Sequence, residues 1–276
     1  MFKNLKKALA GITCALVLFS GLPTAFANPT APTTSGIVNT NQQQQSKEKL
    51  TRSEDKLVKY LKANDVSSAT VDTLINTYFA QELKDSEKFN PDEIKILNDT
   101  AEQNRVAKAE KLKVDKKDIF TEITQSVQIN DVPIDFYENG MFGIGKTAEQ
   151  PSNNMVSLAT TYVRYGQTYR DYYSWVGVHI FTVAQSLNFT YDYTTAGYGG
   201  GYDGWYSRGS ILSVWQVSDW SEGHEQAGNN HEAVVSGYFH TGFEYQGFGF
   251  VVQDLNIQHT LTCHPDGSML AVYSIA

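Results

Sequence analysis

Leu255-Asn256-Ile257-Gln258-His259-Thr260-Leu261-Thr262-Cys263-His264 alternates apolar and polar side chains without a break, if the two odd-numbered residues His259 and Cys263 are counted with the apolar set. A β-strand has a two-residue period, so it places Leu255, Ile257, His259, Leu261 and Cys263 on one face and the polar residues on the other. Pro265-Asp266-Gly267 then supplies turn chemistry and predicts a return into a last strand. Upstream, Leu187, Phe189, Tyr191 and Tyr193 alternate with Asn188, Thr190, Asp192 and Thr194 in the same way. Asn139-Gly140 between Phe136-Tyr137 and Met141-Phe142 is a hairpin signal, because a tight two-residue turn needs positive φ at both central positions. Short strands with Gly-rich turns predict an antiparallel β-sandwich over residues 119–276, preceded by a small helical segment; the fold class is α+β.

Charge marks the same boundary. Residues 119–276 carry four basic side chains (Lys146, Arg164, Arg170, Arg208) against fifteen carboxylates, with all four Trp and all six His. Residues 46–118 carry fifteen Lys and Arg and fifteen Asp and Glu, a balance typical of solvated helices. Within the helical segment, 51–118, Thr51 and Glu54 have capping-box spacing ahead of Leu57, Val58 and Leu61. A second helix is predicted from Ser67 or Ser68, with Val71, Leu74, Ile75, Tyr78 and Phe79 as its apolar stripe. Asn90-Pro91-Asp92-Glu93 opens a third helix through about Leu112, mostly polar and read as a solvated connector. No internal repeat is present.

Residues 1–27 carry Lys3, Lys6 and Lys7, an apolar run from Ala8 to Leu22, and Ala25-Phe26-Ala27, the order of a cleaved secretory signal. Gly11, Ser20 and Gly21 interrupt the run, which is also short for a membrane span. Cys14 follows Thr13 and sits inside the apolar run, which argues against lipidation. The leader resembles the export signals of Gram-positive bacteria, after which a polar spacer often follows. Residues 28–50, rich in Pro, Thr, Ser, Asn and Gln at their start, are predicted to be a disordered leader. The resemblance covers the leader alone, and it implies an extracellular, secreted chain.

Loss of the signal would take the net charge from −8 to −11. A polyanion disfavours DNA, RNA and anionic lipid, which demand a basic face. The mature chain would have no membrane span and a single thiol, Cys263, so its stability must come from its core rather than a disulfide.

No segment has the spacing of a cofactor motif, and no cofactor is expected. Tyr198-Gly199-Gly200-Gly201-Tyr202-Asp203-Gly204-Trp205-Tyr206 reads as a Gly-rich hairpin loop. Its Tyr202, Asp203, Trp205 and Tyr206 are the candidate ligand-binding residues: a sugar ring could stack on Trp205 or Tyr202 while Asp203 accepts a hydroxyl. No Gly-Lys-Ser/Thr follows the glycines, so this is no phosphate loop.

The segment from Gly223 to Glu232 reads as a polar loop in which His224 and His231 are weak metal candidates. They are seven apart, whereas a helical His-Glu-x-x-His zinc motif needs four. Cys263 and His264 would point to opposite faces of one strand, so they cannot act as nucleophile and base, and His259 reads as a core histidine. Asp219, Glu222, Glu225 and Glu232 are close in sequence, but glycoside hydrolysis depends on their separation in space. These features favour a secreted, non-catalytic binding or interaction protein with a glycan or other cell-surface partner. A secreted toxin or bacteriocin-like protein is the alternative, and an extracellular hydrolase ranks below it.

Overall fold

A computed structural model describes residues 40–82, 88–116, 119, 121–151, 161–210, 213–245 and 248–275. Residues 1–27, expected to be a cleaved secretory signal, and the expected leader as far as residue 39 lie outside them. Among the described residues the architecture is α+β: three helices, then two antiparallel sheets packed as a sandwich. The helices are α1 (Thr40–Ala63), α2 (Val71–Thr77), which runs on into a π-helical turn at Tyr78–Glu82, and α3 (Pro91–Leu112).

The first sheet holds β1 (Ile123–Ile129), β2 (Val132–Tyr137), β3 (Met141–Pro151), β4 (Tyr162–Ser174), β5 (His179–Tyr191) and β6 (Ala196–Arg208), each paired with its neighbour in sequence. The second holds β7 (Ser213–Ala227), β8 (Asn230–Tyr245), β9 (Phe248–Cys263) and β10 (Met269–Ile275), in the order β10-β9-β8-β7. A chain whose strands pair mainly through short turns needs no long crossover, so hairpin signals alone specify most of this topology.

Two cores follow from the two faces of the first sheet. Ile134, Phe136, Phe142, Ile144 and Tyr173 face the helices and meet Leu57, Leu61, Val71 and Ile75. Trp175, in the β4–β5 turn, is fully buried there, with edge-on contacts to Phe79, Phe89, Phe136 and Phe142. On the other face Tyr172, Phe181 and Val183 pack on Val235, Phe239, Leu255 and Ile257 of the second sheet, and Leu187 and Phe189 pack on Ala233, Leu261 and Cys263. Each large apolar side chain buried in this way contributes about 1.5–3 kcal/mol of hydrophobic stabilisation. The predicted stripe Leu255, Ile257, His259, Leu261 and Cys263 is buried at every position.

Several local expectations change. α1 begins at Thr40, so residues 40–50, assigned to a disordered leader, form its first turns. Thr51 is therefore inside the helix, where its hydroxyl donates to the Lys47 carbonyl, and it caps nothing. Glutamine is a good helix former, and Ser46, Leu50, Ser53 and Leu57 make one buried stripe that tertiary contact stabilises. α3 does start with the predicted capping box: Glu93 N donates to Asn90 Oδ1 and Asn90 N to Glu93 Oε2, each at 2.9 Å. It is more than a solvated connector, since Ile94, Leu97, Ala101 and Ala109 are buried. The β2–β3 hairpin turns through Glu138, Asn139 and Gly140, and of these only Gly140 has positive φ, +76°. A three-residue loop ending in a left-handed glycine needs one such position, not two.

Candidate functional site

The segment 198–206, expected as a loop, lies within β6, an edge strand of the first sheet. Its glycines serve a strand rather than a hinge. The pairing with β5 passes from Ser186↔Asp203 to Asn188↔Gly200 to Phe189↔Tyr198, so β6 carries two extra residues. Gly200 (φ +107°) and Gly201 (φ +64°) absorb that irregularity.

Strand alternation then separates the four candidate residues. Tyr202 turns toward the second sheet. Its hydroxyl donates to the Val234 carbonyl at 2.9 Å and accepts from Gly223 N at 3.2 Å. Burial, opposed by the Gly223 hydrogen bond, pushes its phenol up to about 12. Tyr206 turns the same way, with its ring against Trp220 (centroids 4.7 Å apart) and Phe239 (5.8 Å). These two tyrosines tie the sheets together and are not a free platform.

Asp203 and Trp205 point to the opposite, outer face. There the register sets Tyr169, Ala184 and Trp205 side by side across β4, β5 and β6, and Gln167, Ser186 and Asp203 side by side in the next row. Ala184 is small, so the rings of Tyr169 and Trp205 meet over it edge to face, centroids 6.0 Å apart and planes at 82°. Both are half-buried, while Asp203 is exposed. An aromatic row beside a row bearing the half-buried Gln167 amide and the exposed Asp203 carboxylate, with Ser186 buried between them, offers apolar area with hydrogen-bonding groups along one edge. Tyr169, Gln167 and Ser186 were not legible as members of this site, because they come from neighbouring strands and only the register unites them.

The segment Gly223–Glu232 is likewise not a loop: it spans the end of β7, the turn at Gly228-Asn229 and the start of β8. The turn does bring His224 and His231 together, with ring centroids 5.2 Å apart, under Tyr198, which stacks on His224 at 4.0 Å. His231 is 4 % exposed, and neither of its ring nitrogens has a hydrogen-bond partner. Burial, and then the neighbouring His224, lower its pKa, so it is held neutral. The Tyr198 ring lies nearly parallel to both imidazoles, at 18° to His224 and 28° to His231, and the imidazoles are tilted 46° to each other. Among the described residues no three His, Cys, Asp or Glu side chains are placed to hold a metal.

The remaining constellations are structural. Cys263 is buried, and burial pushes its thiol up to about 12, far from a reactive thiolate. His259 is held by the Tyr172 hydroxyl, 2.7 Å from its Nε2, and burial drives its pKa well down. Arg170 is fully buried between the sheets, bonded to Asp135 and to the Tyr137 hydroxyl at 3.1 Å, with its guanidinium 4.6 Å from the Tyr273 ring centre. A Cβ at position 143 would fall 2.4 Å from Arg170 Nε, so Gly143 is what admits this side chain. The carboxylates near the hairpin do not share a cleft. Glu225 and Glu232 are cross-strand neighbours on the outer side of the second sheet, while Glu222 faces inward and accepts from Gly204 N at 2.9 Å.

No protein-family model matches the chain, and comparison with curated proteins and with solved structures finds no significant match.

Proposed function

We propose that this protein is a secreted, non-catalytic binding protein whose outer sheet face around Trp205 and Tyr169 engages glycan at a cell surface. The observation that carries the reading is the aromatic row Tyr169–Ala184–Trp205 beside the polar row Gln167–Ser186–Asp203. Sugars present apolar C–H faces and a rim of hydroxyls, and such a surface meets both: the face stacks on the rings while Asp203 and Gln167 bond the rim. The site is a sheet face and not a deep cleft, which suits holding a polymer better than cutting it. Export is supported by the basic, apolar and small-residue order of residues 1–27.

Retention on cell-wall or glycan material tests the reading. Trp205→Ala should weaken retention by about 1–3 kcal/mol, the loss expected for an aromatic anchor, with the melting temperature almost unchanged. His224→Ala should leave retention as it was, with or without a chelator. Retention that ignores Trp205 and instead depends on His224 and on metal would replace this reading with a metal-dependent one.

A further inference from the structure

The helices and the first strand enclose a cleft that the sandwich does not use. Its volume is about 490 Å³, within the range of small-molecule sites. Leu50 and Glu54 of α1, Leu97 and Thr100 of α3, and Ile123 and Thr124 of β1 line it. Leu50, Leu97 and Ile123 form an aliphatic patch beside the Glu54 carboxyl, and the rest of the wall, including Gln43, Gln44, Thr51 and Asn104, is polar.

Glu54 is only 2 % exposed. Its Oε1 receives a long hydrogen bond, 3.4 Å, from Thr124 Oγ1, and among the described residues nothing else donates to it. A carboxylate buried with one weak donor is costly, and the cost falls when a cation with several N–H groups enters beside it. At the rim stand two more carboxylates. Glu122 pairs with Lys108 at 2.9 Å, and Glu138 accepts from Asn104 Nδ2 at 2.9 Å. Lys47 also lines the mouth.

We infer that this cleft binds a small alkylamine, with an ammonium group on Glu54 and an apolar stem against Leu50, Leu97 and Ile123. The Coulomb field favours that choice over an anion, since an anion would face Glu54, Glu122 and Glu138 with Lys47 as the one cation lining the mouth. A second ammonium at the far end of the stem would lie near the rim carboxylates, so an α,ω-diamine fits better than a monoamine.

Binding should depend on pH. Burial raises the Glu54 pKa to about 7, with the Thr124 hydrogen bond opposing and the adjacent Asp55 adding to the rise. The other charged groups lining the cleft are Lys47 on its own helix, Glu122 before β1, which is paired with Lys108 of α3, and Glu138 in the β2–β3 turn. The amine stays protonated throughout this range, so Glu54 sets the profile.

Calorimetric titration of the full chain with 1,5-diaminopentane tests the inference, with 1-pentanol as the uncharged control. Saturable binding is expected at pH 8, weaker by roughly tenfold or more at pH 5.5 as Glu54 takes up its proton, and much weaker for pentanol at either pH. Glu54→Gln should lose roughly tenfold or more at pH 8, while Thr100→Phe, which fills the cleft and leaves the carboxyl in place, should weaken binding too. If Glu54→Gln does not fold, Thr100→Phe and the pH profile decide. No saturable binding at pH 8, pentanol binding as well as the diamine, or variants that bind like the parent chain would overturn it.

Discussion

Trp205 of β6 and Tyr169 of β4 meet edge to face across Ala184, although neither strand pairs with the other. The contact exists because β5 lies between them and presents a methyl group where a larger side chain would hold the rings apart. Two half-buried rings are thereby fixed in one geometry before any ligand arrives, and that lowers the ordering cost of binding. Tyr202, three residues before Trp205, is committed to the opposite face and to the second sheet.

That division predicts opposite phenotypes within one strand. Tyr202→Phe removes the donor to the Val234 carbonyl and the acceptor for Gly223 N, and should cost about 1–2 kcal/mol in urea denaturation. Its retention on glycan should match that of the parent. A Tyr202→Phe chain that keeps its stability and loses retention would move the binding surface to the inner face.

Stability should fall as pH rises through the Glu54 titration. Its carboxyl has an ordinary value of 4.5 and a folded value of about 7, so the folded state binds the proton more tightly. Stability from this group is present below pH 4.5 and is lost as pH rises to 7, by roughly 3 kcal/mol in all. Glu54→Gln should remove that slope and melt higher than the parent at pH 8, as followed by circular dichroism.

Asp171 gives the opposite slope. Burial alone would raise its pKa, but hydrogen bonds from His179, Lys146 and Thr182 outweigh that and hold it near 2, below the ordinary 3.8. Lys146 Nζ lies 2.6 Å from Asp171 and 2.7 Å from Asp72 of α2, so this cluster also fastens the helices to the sheet. Its contribution, roughly 2 kcal/mol, is present above pH 3.8 and is lost as pH falls toward 2. Asp171→Asn should flatten the acid limb of the stability curve and lower the melting temperature at pH 6. Together Glu54 and Asp171 place their joint optimum near pH 4 to 5.

Cys263 should resist an aromatic disulfide reagent in the native state and react fully once the chain is unfolded in urea. Cys263→Ala should cost about 1–2 kcal/mol through lost packing against Leu261 and Leu187, with glycan retention unchanged. Fast labelling of the native protein would show that the strand end opens.

The amino-acid sequence by itself determined the elements with a strong period or a local chemical signature. The alternating run Leu255–Cys263 could bury one face only as a strand, and Asn90-Pro91-Asp92-Glu93 carries its own cap, so both were legible without tertiary information. The separation of Cys263 from His264 followed from the same two-residue period. Tertiary structure decided what depends on partners distant in the chain. Residues 40–50 are helical because Ser46 and Leu50 find buried positions, which a polar composition does not announce. Segment 198–206 is an edge strand because β5 supplies its hydrogen bonds, and its bulge uses the glycines that locally signal a loop. The candidate surface assembles from β4, β5 and β6, and the Glu54 cleft from α1, α3 and β1. A register and a packing angle set both, and these are properties of how elements meet rather than of any one stretch of residues.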